Sequence, residues 1–184
     1  PRYLYRKLFA GDEAAMEHFL AHVCTTEWNE RQDAGRTFAE GTRELMPRHA
    51  DKRELIEAWG LRFGEMIPGA IDGTVAVVAE LKERGVPLYA VTNFSAETFP
   101  PQLERFDFLS WFDGIVVSGE VGLIKPDARI YHHLLERFDL TAGDCVFIDD
   151  SAANVAGAEA VGIAGLHFQS PERLRRELGE LRLL

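Results

Sequence analysis

The run Cys145-Val146-Phe147-Ile148 is apolar and ends abruptly in two adjacent carboxylates, Asp149 and Asp150. Two acids side by side repel each other unless a proton or a cation shares the site. Hard oxygen donors of this kind suit Mg2+, which takes one or two protein carboxylates and keeps waters and substrate oxygens. An ordinary turn is the plain alternative, because Asp and Ser are common between a strand and a helix. Three other positions favour a site. Thr92-Asn93 ends the run Pro87-Leu88-Tyr89-Ala90-Val91, Lys125 stands before Pro126-Asp127, and Asn154 follows the acids. A phosphoryl group in transfer needs donors on its oxygens and a metal to neutralise charge. The Thr92 hydroxyl and the amides around Asn93 would grip non-bridging oxygens. Lys125 would neutralise the phosphoryl group and hold a carboxylate nucleophile. Asp150, helped by Asp149, would hold Mg2+, and Asn154 would orient Lys125 or the acids. Taken singly, each has a dull reading: a helix-entry turn, an exposed loop lysine, a first-turn asparagine. Their joint occurrence, each after an apolar run, is what favours chemistry.

These residues need a parallel sheet to bring them together. From residue 68 onward the sequence alternates helix and strand patterns, the signature of an α/β core with helices on the faces of a parallel sheet. The strands are expected at 87–91, 115–117, 146–148 and 164–168. The helices are expected from Thr74 as a cap, over 96–106, from Pro126 as first residue, through Ala160, and from Pro171. Right-handed crossovers then put every strand's C-terminal end on one rim, where ligands bind. Residues 1–67 differ in texture: helix follows helix, with no β-like alternation. Met16, Phe19, Leu20 and Val23 keep one face, and Thr37 precedes a helix expected to stop before Pro47. Asp51 would cap another helix carrying Leu55, Ile56, Trp59, Phe63 and Met66. Between them, residues 28–36 read as a non-helical piece.

Val91-Thr92-Asn93, Gly122-Leu123-Ile124-Lys125-Pro126-Asp127 and Phe147-Ile148-Asp149-Asp150-Ser151-Ala152-Ala153-Asn154, with Gly157-Ala158 and Gly162, resemble motifs two, three and four of the haloacid dehalogenase-like (HAD) hydrolase superfamily. The resemblance covers essentially the whole chain. It implies a Rossmann-like parallel sheet core, residues 68–184, and an all-helical cap domain, residues 1–67. It also implies aspartate attack on a phosphate ester through an aspartyl-phosphate, with Mg2+. The family's first motif, a strand ending in Asp-x-Asp, has no match, so the nucleophile and the first core strand are expected upstream of Pro1. The expected substrate is a small phosphorylated metabolite. A 2-haloacid dehalogenase is one alternative, disfavoured because such enzymes need no metal and resemble Ser-Ser-Asn where Asp149-Asp150 stand here. A non-catalytic binding module on a decayed hydrolase fold is the other. By the same resemblance a cap loop sets substrate choice, which nominates Trp28, Gln32 and Arg36 as substrate contacts; the alternative packs Trp28 between helices.

Composition is that of a globular protein, with 46% hydrophobic and 27% charged residues. A net charge of -10 argues against nucleic acid and anionic membrane as partners. It does not argue against a phosphorylated substrate, since one metal and one lysine reverse the local field. Cys24 and Cys145 lack metal-ligand spacing and read as free thiols in a reducing cytoplasm. Neighbouring helix residues diverge by about 100°, so His132-His133 read as structural or surface residues.

Overall fold

The computed structural model describes residues 1–184, which divide into two compact units. The first comprises Pro1–Gly69, Asn93–Arg105 and Val117–Gly122. It opens with α1 (Arg2–Leu8), α2 (Glu13–His22), α3 (Thr26–Asp33), α4 (Phe38–His49) and α5 (Arg53–Leu61), then a short 3-10 turn over Phe63–Met66. Side-chain caps start three of these helices. Asp12 accepts Ala15 N–H, Thr25 accepts Trp28 N–H, and Thr37 forms a reciprocal capping box with Glu40. Leu4, Tyr5, Met16, Phe19, Trp28, Ile56 and Trp59 fill the core. The Tyr5 hydroxyl keeps its polarity satisfied there by donating to Leu55 O at 2.8 Å.

Three sequence expectations fail in this unit. Asp51 does not cap α5, which follows Lys52 without a side-chain cap and ends at Leu61, ahead of Phe63 and Met66. Residues 26–33 are helical rather than a loop, because Thr25 caps the start and Glu27, Glu30, Arg31 and Gln32 are good helix formers; residues 34–36 are non-helical, as expected. Helix α4 runs through Pro47 instead of stopping before it. The hydrogen bond that Pro47 cannot make falls in the helix's final turn, and both Pro47 and Arg43, whose carbonyl would accept it, are exposed, so water takes that place.

The second unit comprises Ala70–Thr92, Phe106–Val116 and Leu123–Leu184. Its elements are α6 (Asp72–Glu83), β1 (Tyr89–Thr92), β2 (Gly114–Val117, whose last residue belongs to the first unit), α9 (Ala128–Arg137), β3 (Val146–Asp149), α10 (Ala152–Glu159), β4 (Ala164–His167) and α11 (Pro171–Glu180). Helices α7 (Pro100–Arg105) and α8 (Ser118–Val121) lie in the segments assigned to the first unit. The fold class is α/β with a Rossmann-like alternation of strand and helix, as the sequence predicts. The strands form two pairs, β1 with β2 and β3 with β4, not one continuous sheet. The β3–β4 pair is parallel, with Asp149 opposite His167. Val77 and Leu81 of α6 pack on Leu174 and Leu178 of α11. Helix α6 begins two residues before Thr74, and Asp127 caps α9 with its side chain on Arg129 N–H, so Pro126 lies just outside that helix.

Candidate active site

Strand β3 is all apolar until its last residue, Asp149, and α10 starts three residues later. That junction fixes the carboxylate. Asp149 Oδ1 accepts the Ser151 N–H at 2.8 Å and the Asn154 side-chain amide at 3.0 Å. Oδ2 accepts Lys125 Nζ at 2.6 Å, with the two side chains only 10% and 7% exposed for Lys125 and Asp149. Burial alone would push the Asp149 carboxyl up; the Lys125 ammonium, the Ser151 N–H and the Asn154 amide outweigh it and hold it below the usual range. The pair is thus a charged one with every carboxylate oxygen engaged.

Lys125 reaches this position because the loop before α9 sits hard against α10. A side chain at Gly157 would bring its Cβ within 2.7 Å of Pro126 O and 3.1 Å of the Tyr131 ring, so only glycine lets the two approach. Tyr131 locks the same junction from α9. Its hydroxyl donates to Asn154 O at 2.7 Å and its ring meets Phe147 edge-on at 5.4 Å. Burial, then the Asp149 charge, push the Tyr131 phenol up to about 12. The Lys125 ammonium lies 5.5 Å from the Phe147 ring centroid, a second restraint on its head.

Asp150 behaves differently from its neighbour. It is exposed, and it is the backbone carbonyl, not the carboxylate, that meets His167 Nε2 at 3.0 Å. A buried, anchored acid beside an exposed one is a donor set that fits a hard divalent cation such as Mg2+, with Asp150 as the accessible ligand and solvent or substrate oxygens completing the shell.

The structure therefore joins Lys125, Asp149 and Asn154 directly and sets Asp150 beside them. Asn154 turns out to orient an acid, one of the two roles its position suggested. Thr92 is the C-terminal residue of β1, in the other strand pair, and Asn93 is the first residue of the segment that follows in the first unit. Trp28, Gln32 and Arg36 are brought together, but with one another. Trp28 is 2% exposed and donates Nε1–H to Gly41 O at 3.1 Å. Gln32, fully buried, donates to Trp28 O at 2.7 Å and accepts from Arg36 Nε at 2.6 Å. Arg36 also donates from Nη1 to Glu44 and from Nη2 to Trp28 O. The three form an internal network between α3, the loop after it and α4. Trp28 and Gln32 sit one turn apart on α3, whereas Arg36 lies in the loop after it and reaches back to both. Reading the sequence missed the spacer role of Gly157, visible in the motif only as a small residue.

Comparison with known proteins identifies the family. A family model described as haloacid dehalogenase-like hydrolase matches residues 5–162. The sesquiterpene phosphatase astK of Aspergillus oryzae is 38% identical over 106 residues, covering 58% of this chain and 54% of that protein. The ribulose-1,5-bisphosphate 5-phosphatase of Halopiger xanaduensis is 32% identical over 130 residues, 68% of this chain and 53% of that one. The chain spans about half the length of these two relatives. A HAD family enzyme from Bacteroides thetaiotaomicron, solved in complex with magnesium and inorganic phosphate, shares the fold with a TM-score of 0.68 at 19% identity over 91% of this chain and 85% of its own. Motif order, the anchored acid pair and the family match agree: the chain belongs to the haloacid dehalogenase-like hydrolase family.

Proposed function

We propose that the protein is a Mg2+-dependent phosphatase acting on small phosphate esters through an aspartyl-phosphate. The observation that carries the reading is the buried Lys125–Asp149 ion pair, steadied by Asn154, with the exposed Asp150 carboxylate next to it. Mg2+, held by Asp150 with Asp149 behind it, would supply charge neutralisation for the phosphoryl oxygens. Asp149 fixes Lys125 so that its charge stays at the acid cluster without reorganisation when a dianionic substrate arrives. Thr92, at the end of β1, contributes a hydroxyl for a non-bridging oxygen. Two relatives named as phosphatases and a fold neighbour holding magnesium and phosphate support this choice over halide release. A halide-releasing site has no use for a metal-binding acid pair.

The test is phosphate release by the natural protein from a panel of phosphosugars, nucleotides and phosphorylated small acids, with Mg2+ and with EDTA. Hydrolysis that needs Mg2+ supports the reading. No hydrolysis of any ester, or hydrolysis indifferent to EDTA, overturns it; dechlorination of 2-chloropropionate in EDTA would establish the dehalogenase alternative.

A further inference from the structure

Within the first unit, the backbone directly after Thr92-Asn93 is held by side chains that the proposed mechanism does not use. Ser118 starts α8 and is fully buried. Its hydroxyl accepts the Phe94 N–H at 2.8 Å and donates to Asp33 O, at the end of α3, at 2.6 Å. Gly119 N–H donates to Phe94 O at 3.0 Å, so both polar groups of the Phe94 residue are tied to α8. The approach is close: a Cβ on Gly119 would lie 2.4 Å from Ala96 N and 2.8 Å from Phe94 O. One on Gly35 would lie 3.1 Å from Gly119 O.

Asp33 also addresses the next residue. The Ser95 N–H and the Asn29 side-chain amide, the latter at 2.8 Å, are directed at its carboxylate. Burial and then the Glu30 charge outweigh them and push the Asp33 carboxyl up to about 6. The segments packed against it carry Glu97, whose carboxylate accepts Phe38 N–H at 2.6 Å, Glu104, Arg105, whose guanidinium donates to Gly64 O and Ile67 O, and Glu120. The charge that acts on the Asp33 carboxyl is that of Glu30. A buried hydroxyl and a half-buried acid therefore clamp consecutive peptides, those of Phe94 and Ser95.

We propose that Ser118 and Asp33 are positioning residues that fix the turn after β1, so that the Thr92-Asn93 step is presented to a phosphoryl group in one geometry. The proposal deepens the phosphatase reading and rests on it for the ligand. The Phe94 N–H is taken by Ser118 and is not available to phosphate.

The test uses the 184-residue chain with Ser118→Ala, Asp33→Asn and inorganic phosphate as probe. Amide exchange and the 15N-resolved shifts of Phe94 and Ser95 read the clamp itself; phosphate affinity reads its consequence. Ser118→Ala is expected to speed Phe94 N–H exchange about five- to tenfold and to weaken phosphate about fivefold, the size of one lost neutral hydrogen bond. In the wild type the Ser95 N–H shift should titrate near pH 6, and in Asp33→Asn, which keeps an acceptor oxygen, that inflection should vanish. Unchanged Phe94 exchange in Ser118→Ala, or a Ser95 titration that survives Asp33→Asn, overturns the clamp. Faster exchange with phosphate affinity within twofold of wild type makes the pair merely structural and overturns the positioning role. If the wild type binds no phosphate while the clamp signatures appear, the phosphatase reading falls and the clamp stands.

Discussion

Replacing Lys125 by Met separates the ion pair from everything else at the junction. At 2.6 Å and an effective dielectric near 20, the Lys125–Asp149 attraction is about 6 kcal/mol before desolvation is subtracted. Removing one partner of a buried pair costs about 3–5 kcal/mol, because the other charge is left without compensation. Asp149 retains the Ser151 N–H and the Asn154 amide, which places the expected loss at the lower end, about 3 kcal/mol at pH 7. For a chain of this length that lowers Tm by about 6–12 °C. The pH dependence carries the sign. In the wild type the Asp149 carboxyl sits below its ordinary value, so its stabilisation is present above the unfolded pKa of 3.8 and fades as pH falls through the folded one. In Lys125→Met the burial that opposes ionisation is no longer outweighed by an ammonium, and Asp149 takes up a proton at higher pH. The gap between the two proteins should therefore be widest near pH 7 and close toward pH 3. Thermal melts across that range measure it. The double variant Lys125→Met/Asp149→Asn should cost less than the single, since no charge is stranded. A Tm within about 2 °C of wild type at pH 7, or a gap that does not change with pH, would refute the reasoning.

Asp33 makes the opposite pH prediction. Its carboxyl, raised from 3.8 to about 6, contributes stability that is complete below the unfolded value and is lost as pH rises through the folded one. Asp33→Asn should abolish that decline, gaining up to about 2–3 kcal/mol at pH 8 relative to pH 4; urea denaturation at the two pH values decides it, and equal slopes in both proteins would count against a half-buried, titrating Asp33. Gly119→Ala must push the 94–96 backbone away, since its Cβ would sit 2.4 Å from Ala96 N, and should cost about 2 kcal/mol or more in the same assay. A Gly119→Ala protein as stable as wild type would mean the approach of α8 to that turn is looser than described.

How much of this was legible in the sequence depends on the kind of interaction. The acid pair, the lysine and the asparagine were readable because each follows an apolar run whose length marks a strand, and strand ends are where an α/β fold collects ligands. Helices with a long apolar face, such as the one over 53–61, were equally plain, although the cap expected from Asp51 is absent there. What escaped was whatever depends on a partner distant in the chain. Trp28, Gln32 and Arg36 read as substrate-facing because polar variety resembles a loop, yet Trp28 and Gln32 lie on a helix that Thr25 caps, and Arg36, in the loop after it, folds back onto them. Pro47 read as a stop, although a proline in a final exposed turn costs a helix little there. Gly157 and Ser118 each work through a neighbour more than twenty residues away, Pro126 O for the first and Phe94 N–H for the second. No local pattern announces such pairings.

The central claim is that Asp150 takes a divalent metal while the Lys125–Asp149 pair prepares the site for a phosphate. Calorimetric titration of Mg2+ in the presence of inorganic phosphate, on wild type, Asp150→Asn and Lys125→Met, tests it most directly. The account predicts that wild type binds the two ligands with mutual strengthening, that Asp150→Asn loses the metal, and that Lys125→Met keeps metal binding but loses most of the phosphate enhancement. Mg2+ binding by Asp150→Asn indistinguishable from wild type would contradict it.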